Sequence, residues 1–195
     1  MKTCPSCQET YDDDKNFCRK CGAALSILSA NKPVSPEFVA RRHIFESKIA
    51  KEPDATEHLT SYADFLLSED FIDDAVVQYT RALETVPEDE AIGLRLVKAY
   101  RMGKCLDKAI TQALILLDSH PDNVQLRDEL ASVYIELAKF RKAAQLFLEM
   151  SKLEPSNTDH LVRRLNVLRK IENSDDEILE TCRALYEAKP FQYPG

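Results

Sequence analysis

Proline recurs at a constant interval through the middle of this chain. Pro53, Pro87, Pro121 and Pro155 follow one another 34 residues apart, and Pro190 lies one residue past the next interval. A proline cannot continue a helix, and it forces the residue before it out of the helical region of backbone space. A fixed period of this length predicts stacked helical repeat units over most of the sequence.

Apolar residues keep a common register ahead of these prolines. Small side chains let two helices approach closely, and larger ones fill the groove beside them. The three sets are Ala75, Tyr79 and Ala82; Ala109, Ala113 and Leu116; and Ala143, Phe147 and Met150. This pattern resembles the tetratricopeptide repeat (TPR) family over roughly residues 56–190, with the fourth unit matching less closely.

The resemblance implies an all-α fold, a right-handed solenoid of antiparallel helix hairpins. The array is placed at 54–195, with units at about 56–89, 90–123, 124–157 and 158–191. Ser35, Pro36 and Glu37 are a helix-start signal, so a further helix is predicted at 36–53, where it would cover the end of the first unit. The eight array helices are predicted at about 55–68, 71–86, 89–102, 105–119, 123–138, 140–153, 157–171 and 174–188.

Four of the six cysteines form two closely spaced pairs near the N-terminus, Cys4 with Cys7 and Cys18 with Cys21. Two intervening residues let a tight turn point both sulfurs at one ion, and two such turns complete a tetrahedral thiolate site. A site with four protein ligands leaves no open position for a substrate, which predicts a structural metal. A disulfide framework is the alternative, and the absence of a secretory leader disfavours it.

Residues 4–25 resemble the prokaryotic zinc-ribbon family, whose pattern is CPxCG, a polar loop and FCxxCG. Phe17 and Gly22 match this pattern, whereas Gln8 replaces its first glycine. The resemblance implies a small ribbon with a short β hairpin at 1–25 that binds zinc, followed by a linker at 26–35. Iron in a rubredoxin-like site uses the same thiolates and is the alternative metal.

The charge of the chain argues against general binding of nucleic acid. The formal net charge is −7, and the segment 52–90 carries twelve acidic groups against the single Arg81. We interpret that segment as a solvated outer face rather than an acidic docking surface. The sequence shows neither an apolar leader nor a run long enough to cross a membrane, so the expected location is the cytoplasm.

The first helix of each pair lines the inner surface of such an array, so its polar residues would meet a partner. These residues alternate in charge from unit to unit, which suits a partner of mixed charge. The candidates are Asp64, Lys98, Arg101, Asp128, Ser132, Asn166 and Arg169. A known clamp of the family binds chaperone C-termini through Lys and Asn in the first unit; Asp64 and Thr60 stand at those positions here, which disfavours that ligand.

Two further predictions concern the two remaining cysteines and the end of the chain. Cys105 and Cys182 have no neighbouring cysteine or His–Asp pair and are expected to be buried or half-buried. The last predicted helix presents an apolar face without a further helix to cover it. Phe191 and Tyr193 would fold back over that face, or a second copy of the chain would cover it as a homodimer.

The sequence therefore predicts a non-enzymatic adaptor or scaffold. A protein or peptide partner would bind the inner face of the array, and the zinc ribbon would provide a second docking surface. The alternative is a nucleic-acid or transcription-associated factor that docks through the ribbon, where Arg19 and Lys20 are compatible with phosphate but Asp12–Asp14 oppose it. The sequence contains no phosphate-binding loop, nucleophile elbow or open metal site.

Overall fold

The structure, a computed structural model, describes residues 2–3, 10–11 and 35–188. Within these residues a two-stranded antiparallel sheet precedes nine helices. The strands are β1 (Lys2–Thr3) and β2 (Thr10–Tyr11). The helices are α1 (Pro36–Lys51), α2 (Thr56–Ser68), α3 (Ile72–Thr85), α4 (Glu90–Met102), α5 (Leu106–Ser119), α6 (Val124–Glu136), α7 (Phe140–Leu153), α8 (Asp159–Leu168) and α9 (Asp175–Ala188).

These elements confirm the all-α prediction for the part of the chain that is described beyond the linker. A helix is present at each of the nine predicted positions, and the largest difference is at α8, which ends at Leu168 rather than near residue 171. The helices fall into two compact units, residues 1–105 and 106–195.

In the first unit, α2 packs on α3, α3 packs on α4, and α1 packs on α2. Ser35 caps α1, because its hydroxyl accepts a hydrogen bond of 3.1 Å from the amide of Phe38. The Phe38 ring then stacks on Phe71, with 4.5 Å between ring centroids, and on Phe65, with 5.2 Å. Two turns of α1 further on, Phe45 stacks on Tyr62 at 5.4 Å. Aromatic contacts therefore join α1 to the first hairpin.

In the second unit, consecutive helices from α5 to α9 pack on one another. Each of α5, α6, α7 and α8 buries an apolar face, as expected for helices that share a core with their neighbours. The apolar side chains that are no more than 2% exposed are Ala109, Ala113, Leu116, Leu126, Leu130, Ala131, Val133, Ala143, Phe147, Met150 and Leu168. In α9, Thr181 is the buried residue.

The turns between the two helices of each pair share one backbone feature. Asp70, Lys104, Ala138 and Asn173 all have a positive φ, between 54° and 62°, and they follow one another at nearly the repeat period. Glycine is the usual residue in this left-handed conformation, because a Cβ atom makes it unfavourable by about 1–2 kcal/mol. The turns are therefore fixed by the hydrogen bonds and packing around them rather than by local preference.

Ala138 gives the clearest test of this strain, since its side chain is small and exposed. Its amide donates to the carbonyl of Ile135 (3.0 Å), and the amide of Lys139 donates to that of Tyr134 (2.8 Å), so the turn has little freedom. We expect Ala138→Gly to raise the free energy of unfolding by about 0.5–1 kcal/mol, measured by urea denaturation. The same substitution at the exposed helical residue Ala40 is expected to lower it by a similar amount. Equal destabilisation by both variants would contradict this interpretation.

Gly103 ends α4 for a different reason. Its φ is −76°, so the backbone does not require glycine there, and the left-handed residue of this turn is Lys104. A Cβ atom at Gly103 would instead lie 3.1 Å from Cγ2 of Ile72, the first residue of α3. The glycine therefore permits a close approach between the end of α4 and the start of α3.

The prediction for the two isolated cysteines is wrong. Cys105 and Cys182 are both exposed free thiols. Cys105 lies in the turn between α4 and α5, and Cys182 lies on α9 beside Thr181, which is fully buried instead. Among the described helices, none has both the length and the apolar character needed to cross a bilayer.

Candidate partner-binding and metal sites

The N-terminal strands bear on the predicted metal site. Thr3 pairs with Thr10 and Lys2 pairs with Tyr11 in an antiparallel register. Cys4 and Cys7 lie between these two strands in the sequence. The four predicted ligands, Cys4, Cys7, Cys18 and Cys21, lie outside the described residues.

A polar cluster in the first unit joins residues of α2, α3 and α4. The carboxylate of Asp64 accepts a hydrogen bond of 2.5 Å from the hydroxyl of Tyr79 and one of 2.6 Å from the guanidinium of Arg95. Asp64 is on α2 and Arg95 is on α4, so their ion pair links the first helices of two consecutive hairpins. The two side chains are 48% and 46% exposed, so the pair remains accessible to a partner.

Burial of Tyr79 explains its part in this cluster. Burial raises the pKa of Tyr79 well above its usual range, and the Asp64 carboxylate raises it further. A raised phenol pKa means that the neutral hydroxyl is retained through the physiological range, where it donates to the carboxylate. One carboxylate oxygen of Asp64 therefore accepts from the buried phenol of Tyr79, and the other accepts from Arg95.

A second ion pair occupies a related position in the second unit. Arg163 on α8 pairs with Asp128 on α6, and the Arg163 guanidinium also lies over the ring of Phe147, 4.6 Å from its centroid. Ser132, one turn after Asp128, donates its hydroxyl to the Asp128 backbone carbonyl at 3.0 Å. Its hydroxyl is thus engaged by its own helix, which weakens the case for Ser132 as a contact residue.

The remaining predicted contact residues divide between the units. Lys98 and Arg101 are half-buried on α4, whereas Asn166 and Arg169 are exposed at the end of α8. Asn166 and Arg169 are three residues apart, so they share one face of the helix end. Asp64 and Asp128 both take part in ion pairs.

Arg95 and Arg163, the partners of these two acids, were not among the predicted contact residues. The two arginines are separated by two repeat periods, which was a usable signal. Asp64 and Asp128 are not equivalent in the repeat, since Asp128 lies one helical turn earlier in its unit. Because of that offset, an alignment of the repeats does not place Asp64 and Asp128 at the same position.

Comparison with known proteins gives separate results for the two ends of the chain. Residues 3–25 match the zinc-ribbon domain family. No curated protein matches the chain.

Solved structures resemble the helical part. MamA (residues 41 to the end) from Desulfovibrio magneticus RS-1 has a TM-score of 0.63 and 12% identity, with 78% of this chain and 84% of that chain covered. YrrB, a TPR protein, has a TM-score of 0.58 and 19% identity over 76% of each chain. The TPR domain of OM64 from Arabidopsis has a TM-score of 0.55 and 19% identity over 60% of this chain and 97% of that domain.

At these identities the structural likeness establishes the fold. It agrees with the helix-hairpin pattern that the periodic prolines predicted, and the family match agrees with the paired cysteines. The chain therefore combines an N-terminal segment that matches the zinc-ribbon domain family with helix hairpins that have the TPR fold.

Proposed function

We propose that the protein is a non-enzymatic adaptor that binds a peptide or protein segment on the first helices of its hairpins. The observation that carries this proposal is the group of accessible polar side chains on those helices. In the first unit the Asp64–Arg95 pair is nearly half exposed, and in the second unit Asn166 and Arg169 are exposed.

The exposed ion pairs contribute little to stability, which leaves them available for recognition. A surface pair of this kind is worth about 0–1 kcal/mol, because water screens both charges. An approaching carboxylate can instead share the guanidinium of Arg95, and an approaching ammonium can share Asp64. Such exchange suits a partner of mixed charge, and partner carboxylates give Arg95 and Arg163 the bidentate contact that arginine favours.

In the second unit, Asn166 and Arg169 supply complementary groups on one face of α8. The amide of Asn166 offers both a donor and an acceptor, which matches the alternating groups of a peptide backbone. The guanidinium of Arg169 offers parallel donors to a carboxylate. We therefore assign this helix end to an extended peptide segment that carries an acidic residue or a terminal carboxylate.

One structural neighbour supports a peptide as the ligand. YrrB is described as a TPR protein with an unusual peptide-binding site. Its likeness to this chain concerns the fold, and the peptide is proposed here from the polar groups on α8. Lys98 and Arg101 of the first unit would extend the same kind of contact.

The N-terminal segment would act as a rigid second docking surface. The thiolates of Cys4, Cys7, Cys18 and Cys21 are the ligands that we propose for a zinc ion, in line with the family match at residues 3–25. Zinc bound by four protein ligands would hold the ribbon folded and would take no part in a reaction. This role places the chain in the cytoplasm, where thiolates stay reduced.

Site-specific photo-crosslinking tests the proposed binding face. With a photo-reactive amino acid at Asn166, we expect discrete adducts with a small number of partners in native lysate, identified by mass spectrometry. Arg169→Glu should reduce those adducts by about tenfold, because it replaces an attraction for carboxylate by repulsion.

The control places the same photo-reactive group at Leu179, an exposed residue of α9. Its adducts should differ from those at Asn166 and should not respond to Arg169→Glu. If both positions give the same adducts, or if Arg169→Glu leaves the Asn166 adducts unchanged, the proposed binding face is wrong.

A further inference from the structure

A groove with an apolar floor lies on the second unit, and residues of α5, α6 and α7 line it. Helices α5, α6 and α7 enclose it, and its volume is about 430 Å³. Its apolar lining, which defines the α5–α7 groove, consists of Leu114, Leu117, Leu130, Tyr134 and Leu146. Leu130 and Tyr134 are buried in the floor, whereas Leu114 on the wall is 50% exposed. A cavity of this size falls within the range of about 300–1,000 Å³ that ligand sites occupy.

The polar rim of the groove is mostly basic. Arg127 pairs with Glu149 at 3.5 Å, so these two charges offset one another. Lys142 lies at the mouth of the groove, where its ammonium is 5.4 Å from the centroid of the Tyr134 ring. Contact with the ring holds this cation beside the apolar floor.

A second hollow of about 630 Å³ shares the same rim. It lies between the turn before α7 and the turn after α8, and its charged lining comprises the four bases Lys139, Arg141, Lys142 and Lys170 and one acid, Glu172. Lys170 lies over the ring of Phe140 at 5.4 Å, in the same way as Lys142 lies over Tyr134. Within the part of the chain that the structure describes, Lys139, Lys142 and Lys170 are exposed and form no ion pair.

The position of this basic group on α7 is unfavourable for the helix itself. Lys139 is the N-cap residue, Arg141 and Lys142 lie in the first turn, and that turn contains no acidic residue. The positive end of the helix dipole repels these cations, and acidic residues are the ones that normally stabilise a helix start. Arg141 is offset by Glu177 at 2.9 Å, but the two lysines are not. These lysines disfavour the start of α7 and attract anions. We therefore expect them to serve an anionic ligand.

We infer that this surface, the α5–α7 groove with its lysine rim, binds an acidic amphipathic segment of another protein. Two bulky apolar side chains one helical turn apart would enter the groove, and carboxylates on the flank of the segment would reach Lys139, Lys142 and Lys170. This is the helix-in-groove mode of recognition, in which apolar anchors supply affinity and flanking charge supplies orientation.

The inference goes beyond the proposed function, because it concerns a different surface. The groove is walled by α5 and α7, the second helices of their pairs, whereas Asn166 and Arg169 lie on α8, the first helix of its pair. The expected partners differ as well. The α5–α7 groove requires the apolar face of a helix, whereas the end of α8 requires an extended peptide backbone. Loss of binding at one surface therefore leaves the other proposal intact.

Binding of defined peptides to the full chain tests the inference. The probe is a fluorescent 12-residue helical peptide with leucine and phenylalanine on one face and glutamate on the other. We expect saturable binding by fluorescence anisotropy that weakens with added salt, because exposed charges are screened. The same peptide with lysine in place of every glutamate should bind at least about tenfold more weakly.

Two variants separate the charged and apolar contributions. Lys139→Glu combined with Lys142→Glu should weaken binding of the acidic peptide by about tenfold or more and should favour the lysine peptide. Leu114→Asp should abolish binding of both, because it places a charge on the apolar wall. Lys152→Glu, a charge reversal at an exposed residue near the end of α7, is the matched control and should leave binding unchanged.

Unfolding in urea shows whether the lysines serve the fold instead. Because acidic residues are favoured at a helix start, the double lysine variant should unfold at the same or a higher urea concentration than the natural chain. A clear loss of stability would overturn the inference, and so would equal binding of both peptides. Concentration-dependent self-association that Leu114→Asp abolishes would also overturn it, since the occupant would then be a second copy of the chain.

Discussion

Replacing Cys18 with serine is expected to release the bound metal and to unfold residues 3–25 while the helices remain intact. Strands β1 and β2 have two residues each, and an isolated pair of this size is not stable in water. Coordination of a structural zinc contributes roughly 10–16 kcal/mol, so its loss removes the main source of stability for this segment. We expect one zinc per natural chain by elemental analysis and none after Cys18→Ser, with the far-ultraviolet helical signal almost unchanged.

The matched control is Cys182→Ser, the same chemical change at an exposed thiol on α9. It should retain one zinc per chain and the dispersed amide resonances of the N-terminal segment. Visible absorbance distinguishes the alternative metal, because iron bound by four thiolates is coloured and zinc is not. A Cys18→Ser chain that still holds a full equivalent of metal would contradict the four-cysteine assignment.

Short-range chemistry explains why the helix positions were predictable. Asp89 and Asn123 cap α4 and α6 by accepting hydrogen bonds from the amides of Ile92 and Leu126, at 2.9 and 2.7 Å. A side chain three residues away makes each of these bonds, so the sequence alone reveals them. The periodic prolines add the opposite signal, since each follows shortly after the end of a helix. The fold class was therefore predictable, and the helix ends were predictable to within a few residues.

Exposure of single residues on α9 was not predictable in the same way. Successive residues of a helix are separated by about 100° of rotation, so an error of one position exchanges a buried site for an exposed one. Thr181 is fully buried and donates its hydroxyl to the carbonyl of Glu177 at 2.7 Å, whereas Cys182 is exposed. A pattern based on hydrophobicity favours the cysteine over the threonine for the core. The hydroxyl can be buried because its own helix satisfies it.

The candidate sites differ in how far the sequence predicts them. The spacing of the paired cysteines alone indicates a metal site. The repeat period alone indicates which residues lie on the first helix of each pair. The α5–α7 groove depends instead on how three helices place Leu114, Leu130 and Leu146 around one space. These residues are far apart in sequence, and their spacing of 16 residues differs from the 34-residue period of the prolines. Only the packed arrangement brings them together.

Truncating Phe147 is expected to be the most damaging single change in the second unit. The Phe147 side chain is fully buried on α7, and the guanidinium of Arg163 lies over its ring. Phe147→Ala removes the buried ring and leaves a cavity, which costs about 3–5 kcal/mol. Since whole domains are stable by about 5–15 kcal/mol, we expect a large fall in the urea midpoint and faster amide exchange in α6, α7 and α8.

Leu179→Ala provides the control for Phe147→Ala. Leu179 is 56% exposed on α9, so its truncation should change the free energy of unfolding by less than about 0.5 kcal/mol.

Hydrogen exchange should also show where Phe147→Ala acts. Stability in repeat folds is shared chiefly between neighbouring elements, so exchange should rise most in the helices that pack on α7. The loss of the ring should release Arg163 as well and weaken its pair with Asp128. An equal rise in exchange in α2 and α3 would mean that Phe147 supports the whole chain rather than its own unit.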